Sequence, residues 1–188
     1  YSYVGRLVVG FDENGVVLLS SLNEGVNGIY ATDNEMIAQV YEDPSMAFVE
    51  NSKGELVSRL TNAVSGIVIA KDGNILGKSD VFLDGRRSQV RTQETNMGNI
   101  SADANLFVAQ SFDSSVAVSL KNGGGIRAEI GEVVEVSPGV FEFLPPQANP
   151  LSGKLDGEIS QLDVENTLRF NNGLTLFDLS ASDLKAVM

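Results

Sequence analysis

Two arginines near the middle of the sequence have the side-chain type and the spacing to bind an anion. Arg87 and Arg91 lie four positions apart. If the segment is extended, an even spacing points both side chains to one face. Two forked guanidinium groups on one face suit bidentate binding of a phosphate or a carboxylate. The alternative is a solvated basic surface, or ion pairs with the many carboxylates of this chain, and the spacing leaves both interpretations open.

A glycine-rich loop forms the second candidate site. It contains three consecutive glycines, Gly123, Gly124 and Gly125, with Asn122 before them and Arg127 after them. Consecutive glycines permit close backbone approach to a ligand, and their N–H groups can form an anion-binding nest. The preceding run 116–120 is predicted to be a buried strand, and open sheets bind ligands at strand ends. An ordinary glycine turn is the alternative; a P-loop is excluded because no Lys-Ser or Lys-Thr pair follows.

A third candidate is an aromatic residue placed just before a predicted strand. Phe170 is followed by Asn171, Asn172 and Gly173, and then by the apolar run 174–179. A phenyl ring can stack on a flat ligand, and an asparagine amide can form hydrogen bonds with the edge of a heterocycle. The alternative for Phe170 is a place in the hydrophobic core.

Composition excludes several classes of function. The 188 residues contain no His and no Cys, so a thiolate nucleophile, an imidazole base and a zinc site of Cys and His are impossible. Carboxylates alone can bind magnesium or calcium, but no compact cluster with calcium-loop spacing is present, and no metal site is predicted. A net charge of −12 argues against a nucleic-acid polymer as partner. No run approaches the roughly 20 apolar residues of a membrane span.

The charge is unevenly distributed along the chain. Residues 53–127 contain nine basic and seven acidic residues, whereas the segments before and after are strongly acidic. An anion is therefore attracted to this middle segment rather than repelled.

These candidates must be positioned by a mixture of helices and strands, which indicates the α/β or α+β class. Helices are predicted up to about residue 41, at residues 54–63, 96–109 and 162–168, and from residue 182. Strands are predicted at residues 67–70, 74–77, 116–120 and 174–179, with a hairpin formed by residues 3–11 and 16–19. Thr32 and Glu35 fit a capping box at the start of the first helix. Residues 128–157 contain all but one of the five prolines and are predicted to be mainly loop or irregular hairpin.

Taken together, four segments resemble the C-terminal domain of the 5'-nucleotidase family, which includes bacterial periplasmic UDP-sugar hydrolases and animal ecto-5'-nucleotidases. They are residues 87–91, 94–104, 122–127 and 168–172. Their order and the gap between residues 103 and 122 also match, and the resemblance extends from about residue 83 to 188. It implies a layered α-β-β-α fold, truncated at its C-terminal side.

The resemblance also implies a role for each candidate residue. Arg87, Arg91 and Arg127 would bind the phosphate of a nucleotide substrate, with Asn122 assisting. Phe170 would stack on the nucleobase and Asn172 would form a hydrogen bond with its edge. No catalytic residue is expected here, because the family's two divalent metal ions lie in an N-terminal metallophosphoesterase domain. The fragment alone is expected to be inactive.

The same comparison predicts how the chain is organised. Residues 1–15 resemble the tail of the metallophosphoesterase domain, and residues 16–188 form the C-terminal-type domain with an insertion at 128–157. No function is assigned to residues 23–70. The absence of a start Met, a leader and a stop signal after the last helix predicts a fragment of a longer protein.

Two departures from the family leave the substrate open. Where relatives have Pro-Phe-Gly, this chain has Arg169, Phe170 and Asn171, and the insertion at 128–157 is unusual. The alternatives are a less specific alkaline phosphatase, a 2',3'-cyclic nucleotide phosphodiesterase, a UDP-sugar hydrolase or a non-catalytic surface binding module. The resemblance implies a periplasmic, extracellular or cell-surface location.

Overall fold

The structure is a computed structural model that describes residues 2–187. Tyr1 and Met188, and the parts of the predicted N-terminal tail and C-terminal helix that include them, lie outside the described residues. The chain divides into two compact units, Tyr1–Ser65 and Gly66–Met188. The predicted boundary at residues 15 and 16 remains a prediction.

The first unit is built from two small antiparallel strand pairs and short helical segments. Strand β1 (Tyr3–Arg6), β2 (Gly10–Phe11), β3 (Val17–Leu18) and β4 (Gly28–Ala31) are followed by helix α1 (Asn34–Tyr41) and a 3-10 turn at Pro44–Phe48. The predicted hairpin is confirmed only near its turn, where β2 pairs with β3, because β1 pairs with β4 instead. Asp33, rather than Thr32, caps α1, since its carboxylate accepts the N–H of Met36.

Helix α2 (Lys53–Asp72) is longer than predicted. The predicted end of this helix before Gly66 and the predicted strand at residues 67–70 are both wrong. A glycine inside a helix costs about 1 kcal/mol relative to alanine, which a helix of five turns tolerates. A strand at 67–70 would also need a partner, and the neighbouring strand β5 (Ile75–Lys78) pairs elsewhere.

The second unit contains the remaining elements. After β5 come α3 (Asn96–Phe112), β6 (Glu132–Ser137), β7 (Val140–Leu144), β8 (Glu158–Ser160), α4 (Gln161–Thr167) and α5 (Ala181–Val187). Strand β5 pairs with β8 and β6 pairs with β7, both antiparallel. The predicted α/β class is confirmed, and the expectation of a hairpin within residues 128–157 is confirmed by β6 and β7. Within residues 2–187, no helix is long and apolar enough to cross a membrane.

The hydrophobic core of the second unit connects the segments that carry the candidate site. Four apolar side chains are buried together, Leu83, Met97, Ile126 and Ile130, and Val90, Ile159 and Leu168 pack against them. Each fully buried side chain of this size contributes about 1.5–3 kcal/mol. Since these residues flank the arginine segment, the glycine loop and the end of α4, the core fixes the three relative to one another.

A buried ionic network attaches α4 to the end of α2. Lys154 Nζ lies 3.5 Å from Asp72 Oδ1 and 2.5 Å from Asp163 Oδ2. The Ser160 hydroxyl donates to Asp72 over 2.9 Å and forms a reciprocal capping box with Asp163. The network therefore fixes the start of α4 against the end of α2.

Two segments that were predicted to be strands have no strand partner among the described residues. Residues 116–120 and 174–179 are irregular, and Val118 and Leu120 are about half exposed. Both predictions are wrong because a strand is stabilised by a neighbouring strand, and none is placed beside these segments. They instead line a cavity of about 410 Å³ together with Ala109 of α3 and Leu184 of α5.

Candidate functional site

The segment that carries Arg87 and Arg91 is a helical turn and not an extended chain. The N–H groups of Gln89 and Val90 both donate to the Arg86 carbonyl, over 2.9 and 3.1 Å. The condition of an extended backbone is therefore not met, because local hydrogen bonds to one carbonyl wind the backbone into a turn. In a helical turn, residues four apart lie on one side of the backbone, so a turn, like an extended chain, is compatible with both arginines facing the same way.

The two guanidinium groups have no carboxylate partner among the described residues, although the chain has a net charge of −12. Both side chains belong to exposed residues. The alternative of ion pairs within the chain is wrong for this pair of residues. By contrast, the adjacent Arg86 forms a bidentate ion pair with Asp84, with N–O distances of 2.9 and 2.7 Å.

The glycine loop forms a 3-10 turn, Gly123–Gly125. Asn122 caps it, since its side-chain oxygen accepts the N–H of Gly124 and its carbonyl accepts the N–H of Gly125, both over 2.9 Å. The N–H of Ile126 donates to the Gly123 carbonyl over 3.2 Å. The predicted nest is not formed, because these N–H groups are engaged within the loop.

Glycine is needed in this loop for close packing. A Cβ atom on Gly123 would lie 1.9 Å from the carbonyl oxygen of Val90 and 3.6 Å from the backbone nitrogen of Arg91. Real Cβ atoms do not approach backbone so closely, so only glycine fits without a shift. The structure thus brings the loop directly against the turn that carries the arginine pair.

Arg127 connects the loop with the aromatic candidate. Its N–H donates to the Thr167 carbonyl at the end of α4 over 2.8 Å, and its guanidinium carbon lies 5.6 Å from the centre of the Phe170 ring. A cation at this distance from an aromatic face is attracted by the ring. Phe170 is 52% exposed, so its interpretation as a core residue is wrong. Asn172 is exposed, and no described contact joins it to the other candidates.

Sequence reasoning does not identify Thr167 as part of this arrangement. The residue is fully buried and contributes a backbone carbonyl. No side-chain pattern indicates which backbone carbonyl faces a loop. The predicted end of the helix near residue 168 is the one feature of the sequence that points to a free carbonyl in this region.

The described residues contain no group of three or more His, Cys, Asp or Glu side chains that fits a metal ion. The chemistry available at the site is therefore that of three exposed guanidinium groups, an amide and a phenyl ring. Such groups bind and orient an anion with a flat substituent and stabilise its negative charge.

Comparison with known proteins supports the resemblance to the 5'-nucleotidase family. The family model described as 5'-nucleotidase, C-terminal domain, matches residues 75–188. The trifunctional nucleotide phosphoesterase protein YfkN of Bacillus subtilis (strain 168) is 30% identical over 187 residues, which cover 99% of this chain and 10% of that protein. The 5'-nucleotidases of Homo sapiens and Bos taurus are 31% and 32% identical over 136 residues, which cover 69% of this chain and 20% of each relative.

The chain spans only about a tenth to a fifth of the length of these relatives. No solved structure matched it significantly. The family match covers more than half of the chain and includes every candidate site residue named above. The chain therefore belongs to the 5'-nucleotidase C-terminal domain family.

Proposed function

We propose that this chain is the substrate-recognition domain of a metal-dependent nucleotide-hydrolysing phosphoesterase of the 5'-nucleotidase type. One observation carries the proposal: Arg87, Arg91 and Arg127 have no carboxylate partner among residues 2–187, and they lie on segments that pack together in a strongly acidic chain. Like charges on neighbouring segments repel one another, and a bound anion offsets that repulsion. The family assignment supports a nucleotide as that anion.

In this proposal Arg87, Arg91 and Arg127 bind the substrate phosphate, and the amide nitrogen of Asn122 assists. The side-chain oxygen of Asn122 is already used by Gly124, which leaves the amide nitrogen free to donate. Hydrogen bonds to a charged group are each worth about 1.5–3 kcal/mol. The arginines position the phosphate and offset the charge that develops on it during hydrolysis.

Phe170 stacks on the nucleobase, and Asn172 forms a hydrogen bond with its edge. The contact between Phe170 and Arg127 supports this assignment, because it places an exposed ring beside a phosphate-binding cation. Stacking of a base on an aromatic ring is worth about 1–3 kcal/mol.

Catalysis belongs to the rest of the protein. Two divalent metal ions in an N-terminal metallophosphoesterase domain of the same polypeptide would activate the attacking water, and this chain contributes no catalytic residue. We further propose a periplasmic or cell-surface location, as the resemblance implies.

The proposal is tested by calorimetric titration of AMP into the 188-residue chain. We expect binding that weakens about tenfold or more in Arg87→Ala and in Arg127→Ala, as loss of one charged hydrogen bond requires. Arg6→Ala is the matched control, since Arg6 is an exposed arginine of the first unit. Equal affinity in all four proteins contradicts the site assignment. Hydrolysis of AMP by the isolated chain with added Mn²⁺ contradicts the absence of catalytic residues.

A broader substrate range is the second candidate. The relative that aligns with 99% of the chain is named as trifunctional, and Arg169 adds a charge beside Phe170. Competition between AMP, 2',3'-cyclic AMP and UDP-glucose for the site separates the two candidates. Strong competition by AMP alone supports the specific nucleotidase. Similar competition by all three compounds supports the enzyme with the broader substrate range.

A further inference from the structure

The arginine that precedes the proposed phosphate-binding pair is fully engaged. The Arg86 guanidinium donates two hydrogen bonds to Asp84, and its central carbon lies 4.2 Å from the centre of the Phe143 ring and 5.8 Å from that of Phe82. The paired guanidinium lowers the pKa of Asp84, and the carboxylate raises that of Arg86. Arg86 is thus held at its edge by a carboxylate and at its face by a ring, and it is not available to an anion.

The ring over Arg86 comes from the hairpin of β6 and β7. Phe143 lies in β7, and its ring centre is 5.2 Å from that of Phe82. At the base of the hairpin, Leu83 and Ile130 exchange two backbone hydrogen bonds of 3.0 and 3.1 Å. A Cβ atom on Gly131 would lie 2.7 Å from the Phe82 ring. The hairpin therefore packs closely on residues 82–86.

Arg86 is also the first residue of the turn that carries the arginine pair. Its carbonyl accepts the N–H groups of Gln89 and Val90. The contacts that hold the Arg86 side chain therefore also hold the first residue of the turn, from which Arg87 and Arg91 project.

We propose that Phe143 and Arg86 are positioning residues, by which the β6–β7 hairpin holds the arginine turn in the orientation that binds phosphate. This inference rests on the proposed function, because it assumes that Arg87 and Arg91 bind the phosphate. It assigns a role to the hairpin within residues 128–157, a segment that the family resemblance identifies only as an insertion.

The contact lies at the surface and outside the core of Leu83, Met97, Ile126 and Ile130. Phe143 is 41% exposed and the Arg86 side chain is 32% exposed. Loss of the contact should consequently change the orientation of the turn more than the stability of the fold.

The test measures AMP and adenosine affinity by calorimetry in the full-length protein that contains this chain. We expect Phe143→Leu and Arg86→Lys to weaken AMP binding about threefold to tenfold and to leave adenosine binding unchanged. Phe141→Leu is the matched control, because Phe141 lies in the same strand and is also about half exposed. Phe143→Trp, which keeps an aromatic face, should retain the wild-type affinity.

Equal AMP affinity in Phe143→Leu and Phe141→Leu overturns the inference. An equal loss of AMP and adenosine binding also overturns it, because a general structural defect would produce that result. Urea unfolding midpoints show whether each variant is folded. If Phe143→Leu does not fold, the AMP affinity of Arg86→Lys tests the inference instead. If Arg87→Ala fails to weaken AMP binding, the proposed function fails and the inference fails with it. If Arg87→Ala weakens binding and Phe143→Leu does not, only the inference fails.

Discussion

Two groups of charged side chains in the second unit, Gly66–Met188, have opposite environments. Asp72, Lys154 and Asp163 form an ionic network in which the lysine side chain is 7% exposed. Arg87 and Arg91 are exposed and have no carboxylate partner among the described residues. The first group has its partners within the chain, and the second does not.

Under the proposed function, this difference separates structural charges from binding charges. A charge that is removed from water must be paired, because the cost of desolvation is otherwise several kcal/mol. A solvated cation has no such requirement and remains available to a ligand. Substitutions in the first group should therefore change stability, and substitutions in the second should change binding.

The largest effect is expected for Lys154→Met. Removing this cation leaves Asp72 and Asp163 without their counter-ion, at a cost of about 3–5 kcal/mol in the free energy of unfolding. Lys78→Met is the matched control, since its partner Glu158 lies 3.3 Å away but the lysine side chain is 68% exposed, and it should cost at most about 1 kcal/mol. Urea unfolding measures both, and equal losses contradict the distinction.

Gly123→Ala should affect both stability and binding. The added Cβ collides with the Val90 carbonyl, so the loop must move away from the arginine turn, at a cost of about 1–3 kcal/mol. AMP binding should weaken at the same time. In the matched variant Gly125→Ala, the nearest atom to the new Cβ is in Lys121 at 3.9 Å, and little change is expected. A similar effect of both variants on unfolding and on titration would refute the packing argument.

The ionic network should also make stability depend on pH. Burial raises the pKa of Asp72, but hydrogen bonds from Ser152, Asn149 and Ser160 and the charge of Lys154 outweigh it, and the pKa lies below its usual value. The stabilisation is therefore complete above the unfolded-state pKa of about 3.9 and is lost as pH falls through the lower folded-state value.

The free energy of unfolding of Asp72→Asn, compared with wild type between pH 7 and pH 2.5, checks this dependence. The difference between the two proteins should be largest near neutral pH and should shrink below about pH 4. A constant difference would show that Asp72 titrates alike in the folded and unfolded chain.

The smallest effect on stability is expected for Arg91→Ala. An exposed side chain without an ion pair contributes within about 0.5 kcal/mol to unfolding, whereas AMP affinity should fall about tenfold. Loss of stability comparable to that of Lys154→Met would place Arg91 with the structural charges.

The sequence predicts the local elements of this chain better than their partners. The end of α1 near Tyr41, the start of α3 at Asn96 and the position of α4 are confirmed, because caps and apolar periodicity are encoded within a few residues. The strands expected at 116–120 and 174–179 are not formed, since an apolar run specifies a strand only when another strand is placed beside it. The end of α2 was also not predicted, because the helix continues through Gly66, a residue that usually weakens a helix.

The candidate site was predictable in its residue types and not in its geometry. The spacing of Arg87 and Arg91 indicated an anion site, although the backbone between them is a turn. The contact of Gly123 with Val90 and the stacking of Arg86 on Phe143 join residues 33 and 57 positions apart. No local pattern encodes such contacts, so they become visible only in the folded chain.

We propose that Arg87, Arg91 and Arg127, which have no carboxylate partner in the described part of the chain, bind the phosphate of a nucleotide. The most direct measurement is a ¹H–¹⁵N spectrum of the arginine Nε–H groups of the chain during titration with AMP. We predict saturable shifts for Arg87, Arg91 and Arg127, with no comparable shift for Arg6 or for Arg59, which pairs with Glu55. Shifts of equal size at all five arginines, or no shift at the first three, would contradict the account.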